Sequence, residues 1–167
     1  VTDLTYVHTR TGMAYVCFIV DAFSRRIVGW RVAAHMRTDM VLDALEMARR
    51  SRGRRRLIGL VTHADAGSQF TSVRFTERLD EIGARPSIGT VADSYDNALA
   101  ETVIGLYKAE EIRRKGPWKG IDAVEFATAE WVEWFNNRRL FTPIGDVPPV
   151  EYEEMYYRDQ QSHAEVA

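Results

Sequence analysis

Asp3 heads one apolar run, Asp65 follows another, and Glu101 lies inside the segment SYDNALAET at positions 94–102. Carboxylates are the oxygen donors that hard divalent cations take. Two such cations held about 3.5–4 Å apart support both the attacking and the leaving oxygen of a phosphodiester. Phosphoryl transfer on nucleic acid is therefore the leading chemical expectation. The chain carries 24 Asp and Glu, so the residue type alone does not single out these three. The elements that would position them have to carry the argument.

Residues 1–8, 14–20 and 26–34 read as three strands with short connections at 11–12 and 21–25, an antiparallel meander whose middle run is apolar enough to be buried on both faces. Thr38 reads as a helix N-cap with Asp39 in the first turn. Val41, Leu42, Leu45 and Ala48 would face inward, and Arg49 and Arg50 would close the helix before Gly53. Residues 57–62 form a short apolar strand that delivers His63 and Asp65. Ser72 caps a helix with the stripe Phe75, Leu79 and Ile82, and 84–88 is a fifth strand, so 57–88 is a βαβ unit. A meander followed by alternating helices and strands predicts an α/β fold, a mixed five-stranded sheet flanked by helices. Asp3 and Asp65 then sit at strand ends, where the sheet holds the backbone and the side chain leaves the core.

Residues 89–94 form a small polar loop, expected to be mobile, that leads into the helix of Glu101. At about 100° per residue, Asn97, Glu101 and Lys108 share one stripe, while Leu99, Val103 and Leu106 share the opposite one. A further helix, Ile121–Asn137, places Val124, Phe126, Ala127, Trp131, Trp134 and Phe135 on a broad apolar face. Pro143, Pro148 and Pro149 exclude regular structure up to a segment at 150–157, and 158–167 reads as a frayed tail.

A length of 167 residues with 46% apolar content fits one domain with a substantial core. The lone Cys17 lies in an apolar run and forms no internal disulfide, which favours a reducing cytoplasmic setting. That run is far too short to span a membrane, and no basic leader precedes it. A net charge of −2 excludes a generally polycationic binder. Local patches remain: Arg49, Arg50, Arg52, Arg54, Arg55 and Arg56, then Arg113, Arg114, Lys115 and Lys119. Such patches would grip phosphate or be a solvated helix end and surface loop, and for the 49–56 cluster the two readings are even. His63, two residues before Asp65, reads as a structural histidine or a hydrogen-bond partner of that acid rather than a ligand for Mg²⁺.

The motifs DLTY (3–6), FSRRIVGW (23–30), HADAGSQFTS (63–72), YDNALAE (95–101) and WFNNRR (134–139) occur in that order. Together they resemble the catalytic core of bacterial insertion-sequence transposases of the DDE type, the IS-three family within the retroviral-integrase superfamily. The resemblance runs from residue 1 to about 157. It implies a ribonuclease-H-like core over 1–157 with a disordered tail at 158–167, and a Mg²⁺- or Mn²⁺-dependent recombinase with two ions per site when DNA is bound. By motif match Asp3 and Asp65 would hold the first ion, and Glu101 with one aspartate the second. Water would nick the element's 3′ end, and the freed hydroxyl would attack a second phosphodiester without a covalent protein intermediate.

Several polar residues would meet DNA on this reading. Lys108 would reach a phosphate of the transposon end, against the alternative of a solvated lysine. Asn97 would orient Glu101, touch DNA or cap its helix. Ser68 and Gln69 would meet a strand or simply form a turn and cap, and Arg138 would bind phosphate or complement a helix dipole. Ala66 and Phe141 depart from the Arg and His that many relatives carry, which bears on particular DNA contacts and not on the acids. The implied partners are transposon-end and target DNA and further copies of the chain. A helix-turn-helix domain or accessory protein upstream of residue 1 is also implied, with no membrane, in the bacterial cytoplasm. Two competing readings are a structure-selective nuclease of the same fold and a catalytically silent DNA-binding or assembly module.

Overall fold

Alternation along the middle strand of the meander builds two cores at once. The computed structural model describes residues 1–53, 57–64, 69–87 and 93–166, the side chains of 93–97 and 164–166 excepted. Strands β1 (Thr2–Thr9), β2 (Gly12–Val20) and β3 (Ile27–Ala33) pair antiparallel in that order. In β2, Val16, Phe18 and Val20 face one layer, while Cys17 and Ile19 face the other. The strand is therefore buried on both faces, as its unbroken apolar run predicts. Burial, with the charge of Asp3 second, pushes the Cys17 thiol far up, so it stays protonated and packs as a hydrophobe.

Helix α1 (Thr38–Arg52) covers the Cys17 face with Met40, Val41, Ala44, Leu45 and Ala48. It lies so close to β3 that a Cβ on Gly29 would overlap the Ala44 carbonyl oxygen. Thr38 is not the N-cap expected from its side chain. Arg37 is the last extended residue and makes no side-chain cap, whereas Gly53 ends the helix as predicted, at φ 73°.

Strands β4 (Val61–His63) and β5 (Arg85–Ser87) pair parallel around helix α2 (Val73–Glu81), which completes the βαβ unit. Ser72 caps α2, its Oγ accepting the Phe75 N–H at 3.3 Å. The strand expected from residue 57 begins only at Val61, because 57–60 turns instead. The Leu60 N–H donates to the Leu57 carbonyl at 3.1 Å, and the Gly59 N–H donates to the Gly83 carbonyl at 2.8 Å. A parallel bridge between buried Thr2 and Ala64 joins the two sheets, giving the mixed order β3-β2-β1-β4-β5.

Helix α3 (Asp93–Tyr107) follows, so residues 93 and 94 of the expected loop are already helical and the rest of that loop lies outside the described residues. A π turn (Lys108–Ile112) and the short helix α4 (Arg113–Lys115) continue it. Helix α5 has the bounds expected, Ile121–Asn137, and buries Val124, Ala127, Trp131 and Phe135. Phe126 and Trp134 do not join that face, being 67% and 39% exposed. The inner stripe advances by three or four residues, and these two positions fall off its flank.

After a 3₁₀ turn (Thr142–Ile144), helix α6 (Pro149–Val166) starts with proline at its first position and takes in most of the segment that reads as a tail. Its Glu153 pairs with Arg26 at 2.8 Å and with Arg52, and Arg52 also pairs with Asp21 at 2.8 Å. With only 8% of its side chain exposed, Arg52 ties α1 to α6 and to the β2–β3 turn and does not join a phosphate-facing patch. Among the described residues no helix is long and apolar enough to cross a membrane.

Candidate active site

The seam between the two sheets positions the first acid. In a parallel bridge both chains run on in the same direction, and the residues that follow Thr2 and Ala64 in sequence are Asp3 and Asp65. Asp65 and Ser68 lie outside the described residues. Asp3 is half-buried, its backbone is paired with Phe18, and its Oδ1 accepts the Leu4 N–H at 2.7 Å. Helix α3 packs beside β1 through Leu99, Ala100, Val103, Ile104 and Tyr107, which leaves Glu101 exposed, off that buried stripe. Asp3 and Glu101 are thus carried by two elements in direct contact, and both present carboxylate oxygens. Among the described residues no three His, Cys, Asp or Glu side chains converge as a metal site.

Lys108 follows at the start of the π turn. Its Nζ stands 5.2 Å from the centroid of the Tyr6 ring, a cation–π distance. Tyr6 is on β1, three residues beyond Asp3, and is 53% exposed. The His8 ring meets it edge-on at 5.7 Å. A positive charge and an exposed aromatic ring therefore flank the strand that bears the first acid. Sequence reasoning singles out Lys108 but not Tyr6, whose only signal is an aromatic residue soon after the acid on a strand.

The other residues expected to meet DNA are dispersed. Gln69 donates from Nε2 to the Met36 carbonyl at 3.0 Å, tying the turn before α2 to the approach to α1. Asn97 is on α3, one helical turn before Glu101, with its side chain outside the described set. Arg138 caps the end of α5, exposed and 4.0 Å from Glu133. Its neighbour Arg139 is committed elsewhere. The guanidinium grips Glu110, with Nη2 to Oε1 at 2.7 Å, and lies 5.2 Å from the Phe141 ring. Lys115 pairs with Glu111 at 2.8 Å, and of the arginines at 54–56 nothing lies within the described residues. His63 is half-buried on β4.

Two family models, each described as an integrase core domain, match residues 1–94 and 82–149. The chain is 57% identical to the "Putative transposase for insertion sequence element IS986/IS6110" of Mycobacterium tuberculosis (strain ATCC 25618 / H37Rv), covering 98% of this chain and 60% of that relative. It is 52% identical to the transposase for insertion sequence element IS629 of Shigella sonnei, covering 94% of this chain and 52% of the relative. The chain therefore spans little more than half the length of these relatives. Among solved structures, the HTLV-2 integrase catalytic core domain in complex with magnesium superimposes with a TM-score of 0.67 at 17% identity, over 87% of this chain and 89% of that one. The catalytic core domain of BIV integrase gives a TM-score of 0.63 at 20% identity, over 95% and 97%. Both likenesses are of fold, and the fold is that of the integrase cores, ribonuclease-H-like as the motifs imply.

Proposed function

This chain belongs to the integrase core domain family, and we propose that it is the catalytic core of an insertion-sequence transposase, nicking 3′ ends of DNA and joining them to new strands. The observation that carries the reading is the seam. A buried bridge joins Thr2 to Ala64, the residues that immediately precede Asp3 and Asp65 in sequence, beside the helix that bears Glu101.

The donors fit a hard divalent cation. Asp3 and Glu101 offer carboxylate oxygens on the flank of the sheet, and the one thiol, Cys17, is buried and protonated. Asp3 with Asp65 would hold one Mg²⁺ or Mn²⁺, and Glu101 with one of the aspartates a second once DNA is bound. Such ions, when bound, supply activation of the attacking oxygen and charge neutralisation at the leaving oxygen. The chain's own contribution is positioning. The sheet holds the Asp3 backbone, α3 holds Glu101 at a set height beside it, and Lys108 gives a phosphate a fixed positive contact two helical turns further on. Asn97 would extend that contact along α3, and Ser68, Gln69 and Arg138 would meet DNA at separate points.

We assign recognition of the element's ends to sequence of the longer relatives that this chain does not match, and handling of two ends to several copies of the chain assembled on DNA in the bacterial cytoplasm. The test is strand joining on a branched DNA that mimics an inserted end, which needs little end recognition. Metal-dependent resealing should appear and fall by about 10²–10³-fold in Asp65→Asn, the scale on which one charge-stabilising group acts at a transition state. Hydrolysis without joining would replace this reading with a structure-selective nuclease. No reaction together with no acid-dependent Mn²⁺ binding would replace it with a silent DNA-binding module.

A further inference from the structure

The residues on either side of Lys108 are held by α5. Tyr107 is fully buried, its ring lies edge-on to Phe18 at 5.0 Å and to Trp131 at 5.1 Å, and its hydroxyl shares a 2.7 Å hydrogen bond with Thr128 Oγ1. Glu110 accepts from Trp131 Nε1 at 3.2 Å, from Arg139 Nε at 3.0 Å and from Arg139 Nη2 at 2.7 Å. The Arg139 guanidinium is in turn 5.7 Å from the Phe135 ring and 5.2 Å from the Phe141 ring, so both partners of the pair are braced. Such a planar, aromatic-packed arginine holds a carboxylate in a defined orientation rather than as a diffuse surface charge.

Between these two anchors the backbone departs from an α-helix. The Arg113 N–H reaches back five residues to the Lys108 carbonyl, closing a π turn that contains Glu110. Single π turns inside helices frequently mark functional positions. With Tyr107 and Glu110 both directed at α5, Lys108 is directed the other way, over Tyr6 of β1. The turn is held by ties on one side and aims a charge on the other.

We infer that Glu110, braced by Arg139 and Trp131, is a positioning residue that aims the Lys108 ammonium at a phosphate of DNA running along β1, the strand that bears Asp3. This rests on the DNA-directed function proposed above, and it assigns Glu110 and Arg139 a purpose other than DNA contact. The pair acts through Lys108, so its effect on DNA binding should vanish when the lysine is absent.

A double-mutant cycle reads this directly. Anisotropy of labelled branched DNA, measured in EDTA so that no metal chemistry enters, compares the unaltered chain, Lys108→Ala, Glu110→Gln and the double variant. Lys108→Ala should weaken binding about 5–10-fold and lower the slope of log affinity against log salt by about 0.9, the signature of one lost phosphate contact. Glu110→Gln should weaken binding about 3–10-fold when Lys108 is present and leave it unchanged when Lys108 is Ala. Equal losses in both backgrounds, no loss from Glu110→Gln, or no loss from Lys108→Ala would each overturn the inference. If Glu110→Gln fails to fold, Arg139→Gln carries the same cycle; if neither folds, the pair is only a structural tie and the inference is wrong. Joining that depends on Asp65 together with a flat cycle would sink this inference alone. A coupled cycle without joining would sink the catalytic reading and leave the aimed lysine standing.

Discussion

The two sides of the sheet are held by unequal means. β1 has eight residues and pairs with β2 along its whole length, from Thr2 with Ile19 to Thr9 with Gly12. The side that leads to Asp65 rests on β4 and β5, three residues each, and among the described residues it touches β1 through the Thr2–Ala64 bridge. The larger half buries the aromatic cluster of Phe18, Tyr107, Trp131 and Phe135 between sheet, α3 and α5. The smaller half leaves Ile58, Leu60, Val61 and Val73 exposed. The site proposed for Asp3, Glu101 and Asp65 would therefore span a seam. Asp3 and Glu101 belong to one thick layer, and Ala64, the residue before Asp65 in sequence, follows a thin strand tied to that layer at its end.

If the aromatic cluster is what binds the larger half, Trp131→Ala should have the largest effect, lowering global stability by about 3–5 kcal/mol in denaturant titration. Protection from hydrogen exchange should fall in β2 and in α2 alike. A loss confined to α5 would mean that the cluster is not the common support. A smaller and local effect is expected on the other side. Ser72→Ala removes the α2 cap and should cost about 1 kcal/mol. Amides of α2 and β5 should then exchange faster while those of β2 keep their rates. If β2 accelerates by the same factor, the two sides open as one unit and the contrast between them is lost.

The smallest effect should come from acid at the far end of the larger half. Burial opposes ionisation of Asp21, but the Ser24 N–H, the Arg52 charge, the Ser24 hydroxyl and the Phe23 N–H outweigh it and lower its pKa. A folded-state pKa below the unfolded value of about 3.9 means stability present above that pH and lost as pH falls through the folded value. The difference in Tm between the unaltered chain and Asp21→Asn should therefore shrink on acidification below about pH 4. A constant difference would mean that Asp21 acts through hydrogen bonds that its amide replaces. The effect is small because burial already offsets part of what the partners contribute.

Much of the architecture was legible because period is a local property. The meander, the βαβ unit, the Ser72 cap, the Gly53 stop and the bounds of α5 follow from alternation, stripes and turn residues that neighbours in the chain decide among themselves. The misreadings share a different cause. Residues 57–60 have the apolar character of a strand, yet Gly59 bonds to Gly83, a partner twenty-four positions away. Arg52 belongs to a basic run but is drawn inward by Asp21 and Glu153, and Phe126 looks like core until the crossing of α5 over the sheet selects which stripe is buried.

At the site the division is the same. Resemblance of the ordered motifs proposes Asp3, Asp65 and Glu101, and helical spacing puts Lys108 on the stripe of Glu101. Only the tertiary structure decided that Thr2 bridges Ala64, that the helix slips into a π turn after Tyr107, and that Arg139 faces Glu110 instead of solvent. Spacing along a chain fixes which side chains share a face of one element. Which faces meet is set by packing and by charges brought together across long loops, and no local pattern records that.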